Sequence, residues 1–381
     1  MRIMVVFSKT YSFSPTDQIS LELVTSPAFK DDELFVVARG SSVLQNDNIH
    51  FCPVQSFASY SIKTILSSKI SFWKKMLYCF QRIISKFAVL LLGYDARMVS
   101  CYKKTLNRVV DSYKFDAIIS ISGCYECNVA ACSIAHKHKI KLFPYLCDPY
   151  PFVKKRQFMR TFKKIIRESR RIFAPLEYCN DYFNEFLEYK QKIEGLAFPC
   201  LFQKEIIKST PKKNKNDKIV ISYFGSLGFD GRDLNELSRV FGNCENILLD
   251  LYTSSEDSIN KKNIRFNGMV SKDEMIKRMM DSNFLLVFDN DSKMLPSKCV
   301  RYVSTTLPII VLTARKESSV RLFLSKYKNY YIHYLGSSTD GLYKYIENTI
   351  KSPFKFDDSV YDSYIEYLPD NVFKKIRKNI N

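Results

Sequence analysis

"FLLVFDNDSKMLPSKCVRYVSTTLPIIVLT", residues Phe284 to Thr313, reads as a strand, a loop, a short helix and a second strand. FLLVFD and PIIVLT are continuous apolar runs of strand length, the pattern of strands buried on both faces of a sheet. PSKCVRYVS opens on Pro296, which suits the first helical position because the N–H it lacks would have no helical partner there. Strand, crossover helix and strand form the repeating unit of a parallel sheet covered by helices, so the stretch predicts an α/β fold.

The alternation continues in both directions. Upstream, IVISYFG, ILLDLYT and IRFNG read as strands and RDLNELSRVF and KDEMIKRMM as helices; downstream, SVRLFLSKY and GLYKYIENTI read as helices around a strand over YYIHYL. Leu234, Leu237, Val240 and Phe241 fall on one helical face, as do Met275, Ile276, Met279 and Met280, and Ser271 followed by Glu274 predicts a capping box. In the first half, RIMVVFS, LFVVAR, IHFCPV, AIISIS, KLFPYLC and RIFAP read as strands. Helices are expected over 15–24, 62–92, 97–112, 126–136, 152–168 and 179–189. The polar KSTPKKNKNDK (Lys208 to Lys218) suits an exposed connection. The expected architecture is two Rossmann-like doubly wound domains facing across a cleft: 1–207, a linker over 208–217, 218–358, and a tail over 359–381 with a last helix opening on Pro369 and Asp370.

Composition agrees with two packed domains. The chain has 381 residues, 46% of them hydrophobic, with 29 Phe and 24 Tyr, which is enough apolar mass for two cores and excludes disorder as the overall class. The longest apolar runs, such as FAVLLLGY, are about half of the roughly 20 residues a membrane-spanning helix needs. The N-terminal run Ile3 to Phe7 lacks a small-residue cleavage site and reads as a buried first strand rather than a leader. Eleven cysteines without framework spacing suit reduced thiols and a cytoplasmic location, soluble or peripheral on the cytoplasmic membrane face. A net charge of +19 favours anionic partners, although a composition rich in Lys, Asn, Ile, Phe and Tyr accounts for it equally well.

In open parallel sheets ligands bind beyond the carboxyl ends of the strands. Two segments of the second half sit there. In YFGSLGFDGRDL a strand runs into Gly225, Ser226 and Gly228, a turn that lets backbone approach a ligand, and then delivers Arg232, whose guanidinium can grip a phosphate through two N–H groups. In LPSKCV the helix start directs the N–H groups of Ser297 and Lys298 outward along its positive end. Both point to a phosphate, and neither is a Walker loop or a GxGxxG fingerprint.

YFGSLGFDGRDLNEL, IRFNGMVSKDEMIKRMMDSNFLLVF and LPSKCVRYVSTTLPIIV, in that order and spacing, resemble the C-terminal nucleotide-binding domain of GT-B glycosyltransferases, especially bacterial enzymes that build capsular, exopolysaccharide or O-antigen chains. The resemblance covers Ile219 to about Leu335; the first half is similar in outline, chiefly at IKLFPYLCDPY. It implies a nucleotide-sugar donor as substrate, no separate cofactor and no metal. Gly225, Ser226, Arg232, Ser297 and Lys298 would hold the donor diphosphate, and the loop after GMVS would lie near the base. It also implies a lipid-linked or oligosaccharide acceptor. Retaining members carry two glutamates eight positions apart, where this chain has Lys293 and Arg301; other departures are SKTYSFSPTD in place of a glycine pair and Cys147 in place of a histidine before Asp148.

Asp148, at a strand's carboxyl end, is the candidate acceptor-binding carboxylate or general base, with a turn-forming Asp before Pro149 as the alternative; Glu126 after SISGCYEC is a second candidate. Asp289 to Asp291 (DND) ends a strand in the wrong context for a metal-binding DxD, and Cys124 with Cys127 reads as buried thiols rather than a redox pair or zinc site. His136 and His138, two apart on a helix, face different ways. The segment Ser61 to Tyr94 interleaves lysines with Phe72, Trp73, Leu77, Phe80, Ile83 and Ile84; it reads equally as a helix lying on an anionic membrane and as an ordinary domain helix. A non-catalytic nucleotide-sugar-binding scaffold or regulator of polysaccharide assembly is the second functional class. Nucleic-acid binding, motivated by charge alone, finds no recognised module.

Overall fold

The computed structural model describes residues 1–10, 15–41, 47–55, 71–121, 125–147, 156–200, 207, 218–227, 234–254, 262–289, 295–352 and 362–381. The chain divides into two compact units, Met1–Phe198 with Pro369–Asn381, and Pro199–Leu368.

Among the described residues the first unit holds seven strands: β1 (Arg2–Lys9), β2 (Glu33–Arg39), β3 (Ile49–Pro53), β4 (Ala117–Ile121), β5 (Lys141–Tyr145), β6 (Ile172–Pro175) and β7 (Ile193–Leu196). Their order across the sheet is β3-β2-β1-β4-β5-β6-β7, and every pair is parallel. The helices are α1 (Pro15–Val24), α2 (Phe72–Leu92), α3 (Ala96–Ser112), α4 (Tyr125–His138), α5 (Arg156–Glu168) and α6 (Leu176–Glu185). The second unit repeats the plan with β8 (Ile219–Phe224), β9 (Ile247–Tyr252), β10 (Ile264–Phe266), β11 (Phe284–Asp289), β12 (Ile309–Thr313) and β13 (Tyr330–Tyr334), ordered β10-β9-β8-β11-β12-β13 and again all parallel. Its helices are α7 (Leu234–Phe241), α8 (Lys272–Met280), α9 (Ser297–Val303), α10 (Ser319–Leu324) and α11 (Asp340–Lys351). Both sheets reverse strand order beside their first strand, the doubly wound pattern with a switch point at β1/β4 and at β8/β11. The two Rossmann-like domains expected from sequence are therefore present.

The central strands are apolar throughout because helices cover both faces: Ile3 to Phe7, Ile118, Ile119, Leu285 and Leu286 are fully buried. Met4, Val6, Phe35, Tyr102, Ile118 and Leu142 belong to one core, and Ile221, Leu237, Phe241, Leu249, Leu286 and Ile346 to the other. Truncating such a Leu or Ile to Ala costs about 2–5 kcal/mol.

Several boundaries differ from the sequence reading. The helix expected from 62 is described from Phe72, with Ser71 as its N-cap, and ends at Gly93, whose φ of +82° forms the left-handed stop. The helix expected over 179–189 instead begins at Leu176, directly after Pro175, and gives way to a 3-10 turn over Leu187–Lys192. Pro296 is the N-cap rather than the first helical residue, since its ψ of 130° is extended and the helix starts at Ser297. The expected capping box at Ser271 forms on one side: Ser271 Oγ accepts from the Glu274 N–H at 3.3 Å, while the Glu274 carboxylate is taken by Arg278 at 2.6 Å. The last helix, α12 (Pro369–Ile380), belongs to the first unit, where Val372, Phe373 and Ile376 are fully buried beside α1 and the turn Pro27–Phe29. Arg377 of α12 and the amino group of Met1 both bond to the Asp32 carboxylate, whose side chain is buried.

Candidate functional site

The carboxyl edge of the second sheet brings the two predicted segments together. At the end of β8 the Gly225 N–H donates to the Tyr252 carbonyl at 3.0 Å, extending the β8–β9 ladder by one residue. Gly225 then takes φ +147°, a conformation that side-chain-bearing residues rarely adopt. The Lys298 side chain, from the first turn of α9, crosses to this glycine: a β-carbon at Gly225 would lie 2.6 Å from Lys298 Nζ. The same ammonium sits 4.0 Å from the centroid of the Tyr223 ring. A lysine over a tyrosine face is held by attraction between its charge and the ring quadrupole, worth about 0.5–2 kcal/mol depending on exposure. Tyr223 is fixed in turn, its hydroxyl donating to the Ser226 carbonyl at 2.7 Å.

One further contact sets α9 against the strand ends. Tyr302, fully buried, accepts the Phe224 N–H at its hydroxyl oxygen at 3.2 Å, and burial drives its pKa upward. Cys299 is buried beneath the helix with its N–H donating to the Pro296 carbonyl at 2.8 Å; burial raises the thiol pKa, so it is an inert packing group rather than a nucleophile. Gly225, Ser226, Ser297 and Lys298 are all half-buried, so they line an accessible surface rather than a sealed core. A half-buried ammonium held over a side-chain-less turn is an arrangement that accepts an anion, because no β-carbon blocks close approach.

Other sequence candidates fall elsewhere. Arg232, Asp148, Lys293 and Cys124 lie outside the described residues. Glu126, second residue of α4, uses its carboxylate to accept the backbone N–H of Asp95 at 2.8 Å, and Asp95 caps α3 by accepting from the N–H groups of Arg97 and Met98. Arg301 is buried on α9, with Nη1 3.1 Å from Met275 Sδ. Asp289, the first residue of DND, is buried at the end of β11 and accepts from Thr313 Oγ at 3.1 Å; residues 290 and 291 lie outside the described residues. Cys127 is buried with its thiol 3.3 Å from the Ile121 carbonyl. His136 pairs with Glu168 at 2.8 Å and His138 approaches Asn107 at 3.5 Å, so the two imidazoles serve separate partners. Among the described residues no three His, Cys, Asp or Glu side chains gather as a metal site. The sequence reading missed Tyr223, although its place two residues before a strand-end glycine marks it as a floor for that turn.

No protein-family model and no curated protein matches the sequence. Solved structures do. The chain is similar to the Anabaena protein HepE in complex with UDP-glucose, with a TM-score of 0.57 and 10% identity over 99% of this chain and 94% of that one. The chain has the GT-B fold. It is also similar to WaaG, a glycosyltransferase of lipopolysaccharide biosynthesis, at a TM-score of 0.59 and 8% identity over the whole of both chains. A UDP-GlcNAc 2-epimerase from Methanocaldococcus jannaschii gives a TM-score of 0.59 and 11% identity over 99% of each chain. The similar structures thus include both a glycosyltransferase and a UDP-GlcNAc 2-epimerase, so the fold by itself does not choose a chemistry.

Proposed function

We propose that the protein is a glycosyltransferase that moves a sugar from a nucleotide-sugar donor to a lipid-linked or oligosaccharide acceptor of a cell-surface polysaccharide, working at the cytoplasmic face of a membrane. The observation that carries this reading is the Lys298 ammonium held over the Tyr223 ring against Gly225, at the carboxyl edge of β8 and β11. A donor diphosphate suits that place. As the bond from the sugar's anomeric carbon to the diphosphate breaks and a bond to an acceptor hydroxyl forms, negative charge grows on the departing phosphate; Lys298 and Arg232 would stabilise it more in the transition state than in the ground state. Asp148 would receive the acceptor's hydroxyl proton in an inverting reaction. A UDP donor is favoured, since the similar HepE was solved with UDP-glucose.

A thermal-shift series with UDP, GDP, CMP and their sugars tests the donor half, since a ligand that binds only the folded protein raises its melting temperature with occupancy. Transfer to lipid-linked acceptors tests the rest. The burial of Arg301 against Met275, where retaining members have a glutamate, favours one second reading: a nucleotide-sugar-binding scaffold. Nucleotide-dependent stabilisation without transfer across the panel would select it.

A further inference from the structure

Helix α2 turns its apolar side chains into solvent. Trp73, Leu77, Phe80, Ile84, Phe87 and Leu91 follow one another at alternating four- and three-residue steps, which aligns them on a single helical stripe. All six are exposed, Trp73 by 74% and Phe80 and Phe87 each by 61%. Domain helices bury such a stripe, and folded proteins seldom leave so long an apolar surface in water without a partner for it.

The charges nearby identify the partner. No Asp or Glu occurs between Asp47 and Asp95, while Lys63, Lys69, Lys74, Lys75, Arg82 and Lys86 do. Helix α5 packs beside α2 within the same unit. Its inner face buries Phe162, Ile165 and Ile166, and its outer face exposes Arg160, Lys163, Lys164 and Arg167 at helical spacing. One carboxylate, Glu168, closes this stripe, and it is shared between Arg167 and His136. No acidic residue lies between Asp148 and Glu168. An apolar ridge beside a row of cations is the pattern of an interfacial helix on an anionic bilayer, in which rings enter the acyl boundary and ammonium groups meet headgroup phosphates.

We propose that α2 and α5 together form a docking face for an anionic lipid membrane, with α2 lying in the interfacial plane. Among the described residues no helix is long and apolar enough to cross a membrane, so α2 lies along the surface. Pairing of α2 with a second copy of the chain is disfavoured by charge, because a two-fold axis there would bring two carboxylate-free segments together. The proposal deepens the acceptor half of the proposed function, but it rests on these two helix faces and is tested without donor or acceptor.

Trp73 is the only tryptophan in the chain, so tryptophan emission reports on α2 alone. The full chain is mixed with vesicles of phosphatidylcholine, or of phosphatidylcholine with phosphatidylglycerol, and binding is read by co-sedimentation and by the tryptophan emission maximum. The expected result is a blue shift and sedimentation with the anionic vesicles only, reversed by high salt. Phe80→Ser with Phe87→Ser removes the binding. Lys163→Ala with Lys164→Ala weakens it by roughly fivefold per cation while leaving circular dichroism unchanged. Absence of binding, or equal binding to neutral vesicles, overturns the proposal. So does a dimer in sedimentation velocity that Phe80→Ser with Phe87→Ser dissociates while vesicles go unbound. Vesicle binding with no donor-dependent stabilisation would retain the docking face and remove the transferase reading.

Discussion

The two sheets share a strand order, so position can be compared with position. The helix that follows the switch strand begins Tyr125-Glu126-Cys127 in the first unit and Ser297-Lys298-Cys299 in the second. The cysteines are buried in both. The residue before each differs in sign and in what it holds. Glu126 accepts the Asp95 N–H and fixes a neighbouring helix start, whereas Lys298 reaches across to the end of the first strand. That strand end differs as well. Thr10 and Gly225 each donate their N–H to the last carbonyl of the next strand, at 3.0 Å in both units. Thr10, however, ties its hydroxyl to the Ser41 carbonyl at 2.8 Å and is buried, while Gly225 presents no side chain. At these two positions one framework thus places a buried, hydrogen-bonded threonine in one unit and a glycine with a lysine over it in the other. Fold alone does not distinguish the two strand ends; the side chain at one helical position and the absence of one at one strand end do.

Replacing Lys298 by Ala breaks the contrast most directly. It should lower transfer tens- to hundreds-fold with the melting temperature of the unliganded protein little changed, and unaltered transfer rates would remove Lys298 from the site. Gly225→Ala should act next. It forces a β-carbon into an unfavourable φ and against the lysine, costing on the order of 1–3 kcal/mol by urea unfolding and weakening nucleotide-dependent stabilisation. Glu126 separates a capping role from a chemical one. Glu126→Ala should lose about 0.5–2 kcal/mol, comparable to a lost cap, while Glu126→Gln keeps an acceptor oxygen and should keep both stability and activity. A Gln variant that is stable but inactive would make Glu126 a catalytic residue.

The smallest effect lies on β13. His333 is 2% exposed, and burial, followed by the Arg239 charge and opposed by Glu236, holds its pKa below the ordinary value of about 6.5. As pH falls through that value the unfolded chain takes up a proton that the folded chain refuses, so this contribution to stability is complete above it and declines below. His333→Phe should flatten the urea midpoint over that interval, and an unchanged slope would exclude the residue.

Much of this was legible in the sequence because both sheets are covered on two faces, and doubly buried strands such as FLLVFD and PIIVLT announce themselves as unbroken apolar runs. The edge strand β7 escaped notice for the opposite reason: IEGL is four residues with a glutamate and a glycine, and its identity lies in pairing with β6 and in Leu176 and Cys179 pressing on Gly195. At the candidate site, the glycine turn and the lysine could each be read locally. Their convergence, and Tyr223 beneath them, depended on the β8–β11 pairing across some sixty residues. The tie from Glu126 to Asp95 joins residues with a sequence separation of 31, so no local pattern distinguishes that cap from a general base.

The return of α12 to the first unit bears on the order of synthesis. Val372, Phe373 and Ile376 complete that unit's apolar interior, yet they leave the ribosome after every strand of the second unit has emerged. The first Rossmann-like domain must therefore wait with part of its hydrophobic surface uncovered until Pro369–Ile380 has been made, and a nascent chain stalled before Pro369 would be sticky at that patch even with the thirteen described strands in place.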